Sequence, residues 1–394
     1  MAVTVLDGVT VIPGGGQAPI EDAAVVLDAD GVVVEIGPGS TGGDMILVPG
    51  AVDLHLDNLG QRRRPRATVT LDHEAVVTVL DAECAAAGIS TVCIAARCED
   101  SPRKGIHIAD ALELAEVVEA LAPVLCCDWR IHARVELTDA GAVGALTGVL
   151  ARSSRVSLIS MIETSVSRSR FESLAATRAF YAQDWGVSEA EVEDVFTVDA
   201  AQLSAVADRR REVAALAAGR GITLASHDDR TPEHIEEAFR LGARVAEFPL
   251  TMAAAHAAHD LGMRVALGAP NVVRGRSTST GNVLAAEAVA AGVCDVLCSD
   301  YLPSSVQTAP QVLAERGHAP VGRAVDLVSV NPAAVLGLPP VAIEVGRPLT
   351  ASLRRLRRAG AGAPAAHVGV ALWRDGRLVF GRDSPPLRIR PAFA

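Results

Sequence analysis

The chain has 394 residues and a formal charge of -11, with 49% hydrophobic but only 3% aromatic residues, which bounds it to two domains or one large barrel with an accessory domain. Its basic residues are scattered or in short clusters, so no stripe follows a nucleic-acid backbone and nucleic acid is excluded as a partner. No apolar run approaches the roughly 20 residues that span a bilayer, and "MAVTVLDGVTVIPGGG" lacks a positive start and a cleavage site. The expectation is a cytoplasmic protein with no membrane partner.

In chain order, residues 1 to 48 read as short strands with turns at "LDGVT", "PGGG" and "DADGVV". Eight β-branched runs follow, each leading into an Ala/Leu/Glu-rich stretch of helical period. They are "VDLHLDN" (52–58), "ISTVCIAA" (89–96), "RIHARVEL" (130–137), "RVSLISMIE" (155–163), "GITLASHDD" (221–229), "RVAEFPL" (244–250), "RVALGAPN" (264–271) and "VCDVLCSDY" (293–301). The stretch "GRPLTASLRRLRRAGAGAPAA" (346–366) reads as a mobile linker with a solvated arginine face, and "HVGVALWRDGRLVFGRD" (367–383) returns to β style. Cysteines 84, 93, 98, 126, 127, 294 and 298 lie mostly in apolar runs without paired CxxC knuckles, and read as reduced core thiols.

Eight strands alternating with helices predict an α/β fold, a (β/α)8 TIM-like barrel over residues 49–339. The competing open doubly wound sheet would carry a glycine-rich fingerprint after its first strand, and "HLDNLGQRRRPR" is no such loop. Residues 1–48 and 340–394 are expected to combine into one small β-sandwich, because two separate β domains of that size would be marginal.

Chemistry in such a barrel sits where strands end, which selects His55, Asp57, Glu136, Glu163, His227, Asp228 and Asp300. His55 and Asp57 stand two apart on a strand and so share one face. Imidazole and carboxylate donors suit a divalent metal, zinc first with manganese or iron as alternatives, and such an ion turns water into a nucleophile near neutral pH. Hydrolysis is the natural use. Against that stands the plain reading in which His55 and Asp57 only cap a loop; acids and imidazoles ending several strands weigh against it. His132 and His234 read as packing or helix-surface histidines, and His256 and His259 as residues of an outer helix.

Beyond these residues, "PGAVDLHLDN" (49–58), "AAAGISTV" (85–92), "RIHARVEL", "LASHDDRTPEHIEEA" (224–238), "AEFPLT" (246–251), "GAPNVVRG" (268–275), "TGNV" (280–283) and "CDVLCSDYLPSS" (294–305) carry a specific likeness. Over residues 49 to 335 the chain resembles the amidohydrolase superfamily, and within it the phosphonate-metabolism diphosphatases acting on α-D-ribose 1-methylphosphonate 5-triphosphate. The resemblance implies a metal-dependent hydrolase barrel in which water attacks a phosphoric anhydride and diphosphate leaves. On the matched positions it implies His55, Asp57, His227 and Glu136 as metal ligands, Asp300 as the general base, and Asn58, Asp228 and Asp229 as groups that orient ligands or substrate. Homodimerisation is a family-level expectation.

The chain departs from the family pattern in three places. After strand four the family's Asp-His pair is replaced by Glu163 and Thr164 in "MIETSVSRSRF", after strand seven "RGRSTSTGN" carries threonines for a histidine, and "GRPLT" replaces a Gly-Lys-Arg-Ala-Asp turn. One or two ions are therefore expected. The single lysine, Lys104, is away from any strand end, so Glu136 or Glu163 would have to bridge. Arginines after strands one and seven, Arg66, Arg274 and Arg276 among them, suit a small anionic, phosphorylated substrate, although 35 Arg against one Lys also fits a compositional preference for surface charge. Two other functions stay open: an amidohydrolase acting on a cyclic amide or N-acyl compound, and a non-catalytic barrel that lost its metal site through Thr164.

Overall fold

The computed structural model describes residues 2–66, 68–101, 105–165, 168, 171, 173–196, 200–277, 281–358, 365–382 and 387–391. Lys104 and residues 278–280 of the "RGRSTST" loop lie outside them.

Four strands open the chain: β1 (Ala2–Val11), β2 (Ile20–Leu27), β3 (Val33–Pro38) and β4 (Met45–Pro49). The barrel strands follow as β5 (Ala51–Leu56), β6 (Ile89–Cys98), β7 (Asp128–Glu136), β8 (Val156–Ile162), β9 (Thr223–His227), β10 (Val245–Glu247), β11 (Arg264–Gly268) and β12 (Val296–Cys298). They pair in parallel in sequence order, each of the eight expected runs supplying one strand. The ends β5 and β12 meet at the C-terminal rim, where Asp300 N–H donates to His55 O at 2.8 Å and Asp57 N–H to Asp300 O at 2.6 Å.

Small and branched side chains explain how this sheet curls. Val52, Leu54, Leu158, Ala225, Val245, Ala266 and Val296 form an inner layer, and Ala333 with Leu336 and Leu338 packs against it as a plug. A larger layer of Ala, Val and Leu joins the outer faces of the strands to the helices. Among the described helices two start on a threonine cap just past a strand: Thr231 Oγ1 accepts from His234 N at 3.4 Å, and Thr251 Oγ1 from Ala254 N at 3.1 Å. With one end plugged, the polar strand ends are left to line the other.

Both chain ends build the separate sheet, adding β13 (Ala351–Arg358), β14 (Ala365–Arg374), β15 (Arg377–Gly381) and β16 (Leu387–Pro391) in the order β15-β14-β13-β4-β1-β2-β3, with β16 on β1. Its pairings are antiparallel except β1 with β4. One core that includes Leu6, Val25, Leu47, Leu353 and Trp373 holds it together. The linker expected over 346–366 is thus corrected across Ala351–Arg358, a central strand between β4 and β14. Its arginines disguise it: Ala351 and Leu353 enter the core, while Arg355 and Arg357 pair with Asp44, just ahead of β4. The sheet sits so close to the barrel that a Cβ on Gly369 would strike the Ala86 carbonyl.

Among the described residues no helix is long and apolar enough to cross a membrane. All seven cysteines are free thiols, six of them buried.

Candidate metal centre at the barrel rim

Strand ends β5 to β12 surround a cavity of about 440 Å³ lined by His55, Asp57, Arg97, Arg134, Glu136, Glu163, Thr164, Arg168, Tyr181, His227, Asp228, Arg274, Arg276 and Asp300, among others. Three rim residues that directly follow strands or close the barrel, Asp228, Phe248 and Asp300, hold positive φ of 58°, 50° and 54°. Non-glycine residues adopt that conformation at a cost, and such strain collects where side chains must be aimed.

Beneath the cavity, His55, His132 and Glu247 bring one donor atom each to within 4.8 Å of one another. His55 Nδ1 lies 3.0 Å from Glu247 Oε1, and His132 Nε2 lies 3.4 Å from Glu247 Oε2. His132 Nδ1 is 3.1 Å from the Leu54 carbonyl, which fixes the proton on that nitrogen, and Nε2 is the lone-pair side, with the Ser160 hydroxyl at 2.8 Å. The ladder sets His227 directly beside Glu247, and the His227 ring lies 5.7 Å from that of His55.

Burial depresses the His55 imidazole, but the Glu247 carboxylate more than offsets this and its pKa is raised. Burial would raise Glu247, yet His132 and His55 hold it well below the usual carboxylate range. His132 is pushed down to about 3 by burial against the pull of Glu247, so it is a neutral imidazole.

A divalent cation fits this donor set. Both His227 ring nitrogens and Glu247 Oε2 are buried without a hydrogen-bond partner. Orphaned polar atoms of this kind on β9 and β10, beside the imidazoles of β5 and β7, are what a bound ion satisfies. Nitrogen and carboxylate oxygen together suit zinc, manganese or iron.

The remaining candidates are placed differently. Asp57 pairs with Arg134, and although burial raises its pKa, Arg134 and Arg97 bring it down to about 2. Glu136 spends both oxygens on protein donors: Oε1 accepts from Thr138 Oγ1 at 2.7 Å and Thr164 N at 3.0 Å, and Oε2 from Thr164 Oγ1 at 2.6 Å. The two residues are therefore brought to the cavity but not into the histidine cluster. Asp300 and Asp228 line the cavity, as do Arg274 and Arg276. Asn58 and Asp229 are buried behind the wall, Asn58 donating to the Tyr301 carbonyl at 3.3 Å and Asp229 pairing with Arg168 at 2.8 Å. Arg66 is not brought to the cavity wall, because a tight turn pairs it with Val69.

Glu163 is held in an ion network. It contacts Arg168 at 3.1 Å and also pairs with Arg210, while Arg168 reaches Asp229 and Glu237. Exposures of 7% for Glu163, 9% for Arg168 and 6% for Arg210 make this a buried network, where losing one partner strands the others. Glu163→Ala is expected to lower unfolding free energy by about 3 kcal/mol. Urea unfolding reads it, and a change below about 0.5 kcal/mol would mark the pairs as surface-like.

Sequence reasoning missed Glu247 and Arg134, and read His132 as a packing residue. The run "RVAEFPL" reads as ending at Leu250, whereas β10 ends at Glu247 because Phe248 turns to positive φ and Pro249 has no N–H for the ladder. Pro249 was the available signal. His256 and His259 are exposed on the helix Met252–Asp260, as expected.

No family model matches the chain. Solved structures similar to it over almost its whole length include N-acetyl-D-glucosamine-6-phosphate deacetylase from Mycobacterium smegmatis, with TM-score 0.58, 18% identity and coverage of 95% of this chain and 99% of that one. A D-hydantoinase has TM-score 0.58 at 12% identity, covering 96% of this chain and 95% of that one, and a dihydroorotase has 0.53 at 12%, covering 96% and 99%. At such identity they share the fold. The α-D-ribose 1-methylphosphonate 5-triphosphate diphosphatase of Escherichia coli (strain K12) is 33% identical over 339 residues, spanning 85% of this chain and 88% of that protein. The chain therefore belongs to the α-D-ribose 1-methylphosphonate 5-triphosphate diphosphatase family.

Proposed function

We propose that the protein is a metal-dependent hydrolase that splits a phosphoric anhydride in a phosphorylated ribose phosphonate-type substrate and releases diphosphate. The observation that carries this reading is a single cavity lined by the acid Asp300, by His55 and His227, and by five arginines, Arg97, Arg134, Arg168, Arg274 and Arg276. Guanidinium groups bind phosphate oxygens through paired N–H donors, which favours a polyanionic substrate.

His55, His132, His227 and Glu247 would hold the ion, which when bound supplies Lewis acidity near neutral pH. Asp300 takes the proton from the attacking water at a carboxylate oxygen. The water oxygen bonds to phosphorus as the bridging P–O bond breaks, and diphosphate departs with that electron pair. Arg274, exposed and bonded only weakly to the Tyr301 hydroxyl at 3.4 Å, is free to receive a phosphate oxygen.

The test is incubation of zinc- or manganese-loaded protein with α-D-ribose 1-methylphosphonate 5-triphosphate, followed by 31P NMR. The expected product is diphosphate; stepwise release of orthophosphate, or no turnover, sinks the proposal. In the same assay Arg274→Ala is expected to raise KM about 10-fold with kcat nearly kept, because one charge-assisted hydrogen bond to bound substrate is lost.

A further inference from the structure

We infer that Arg134 supplies, as a fixed guanidinium, the positive charge that a second metal ion would otherwise bring to this rim, so that the centre holds a single divalent cation. The inference rests on the proposed metal-dependent reading and concerns how many ions it uses.

Three carboxylates stand where a second ion would need ligands, and each is already taken. Asp57 pairs with Arg134. Glu136 receives Thr138 and Thr164 donors on its two oxygens. Glu163 accepts from Ser165 at 2.6 Å on one oxygen and faces Arg168 and Arg210 with the other. Thr164 has an active part in this arrangement, since its hydroxyl and backbone N–H both point at Glu136.

Arg134 is built into the centre. Its side chain is 12% exposed, it sits in the middle of the sheet on β7, and the ladder sets it level with Arg97 on β6. Glu99 pairs with Arg97, so that second guanidinium is neutralised locally. Asp57, Glu99, Glu247, Asp228 and Asp300 all act on Arg134, a charge environment that retains a cation. Its Nε is buried without a partner, which leaves one N–H available for an incoming oxygen. A second dication beside this group would meet like charge, while the carboxylates of Asp57, Glu136 and Glu163 are spent on protein partners. By contrast the His227 nitrogens and Glu247 Oε2, which the ladder sets side by side, are buried without a partner on the histidine side of the rim. A guanidinium stays charged at any working pH and cannot be chelated away, and it offers flat, paired donors to phosphate.

The experiment counts ions rather than turnover. Metal-stripped protein is titrated with zinc chloride by calorimetry, and the desalted product is submitted to elemental analysis. The wild-type chain is expected to bind one ion, and Arg134→Lys, which keeps the charge, also one. Arg134→Gln removes the charge and releases Asp57, and is expected to gain a second, weaker site. Asp57→Asn gives an independent arm: its carboxylate serves the arginine, so one ion should still bind. Two ions in the wild-type chain overturn the inference. So does a folded Arg134→Gln protein that binds no more than wild type, or an Asp57→Asn protein that binds none. Should Arg134→Gln fail to fold, as circular dichroism would reveal, the wild-type and Asp57→Asn counts decide. Single-ion binding without diphosphate release leaves this inference standing and removes the proposed reaction, whereas two ions with release do the reverse.

Discussion

Asp300→Asn is expected to lower kcat by about 10²- to 10⁴-fold while the ion content of the protein stays that of wild type. The fold should survive, because Asp300 closes the barrel through its backbone, donating to His55 O and accepting from Asp57 N, and neither bond involves the side chain. Asparagine is also among the few residues that tolerate the positive φ of 54° found there. What is lost is a proton acceptor. Burial raises the Asp300 pKa and Asp57 adds to the rise, while His55 and Arg134 oppose it. A base must be unprotonated to act, so the rate falls as pH drops through this raised value. The acid limb of kcat against pH should therefore sit above the ordinary carboxylate value of about 4, and it should vanish from the residual rate of the Asn variant. An Asn variant that turns over at the wild-type rate would take Asp300 out of the chemistry.

The barrel was legible because its strands are buried on both faces and so read as unbroken apolar runs, which turn signals then separate. Strand existence survived even where boundaries did not. The three-residue β10 is short because Phe248 turns to positive φ at the rim. A boundary error of that size moved Glu247 from a strand end to a strand middle, and with it out of the candidate set. His132 was hidden for a related reason. On β7, His132, Arg134 and Glu136 stand two apart and share one face, so the period that linked His55 to Asp57 would have linked these three. A histidine inside a strand is ordinarily a packed one, and only the approach of Glu247 from β10 distinguishes it. Residues 351 to 358 failed to read as a strand because four arginines mask the alternation of Ala351 and Leu353. The pairing of Asp57 with Arg134 lies 77 positions apart in sequence and follows from closure of the sheet, which no local pattern encodes.

Glu247→Gln carries the second large expectation: zinc affinity reduced by about 10- to 100-fold, with turnover falling in step at limiting metal. The variant keeps the shape of the side chain and removes its charge. His55 Nδ1 then loses the carboxylate 3.0 Å away that orients its ring, and His132 loses the one at 3.4 Å. An unchanged zinc isotherm would place the ion elsewhere and undo the donor set argued above. The same substitution also changes stability with pH in metal-free protein. Burial alone would raise Glu247, but His132 and His55 depress its folded pKa, and a depressed carboxylate contributes stability above its unfolded value that is lost as pH falls. Asp57 acts in the same direction, its pKa lying at about 2. Unfolding free energy of the wild-type apoprotein, measured in urea at successive pH values, should therefore fall from about pH 6.5 downward, as His132 charges first in the unfolded chain, and fall further below about pH 4 as the carboxylates titrate. The Gln variant starts lower at neutral pH and loses less below about pH 4, because the Glu247 part of the acid-sensitive stability is gone while the Asp57 part remains.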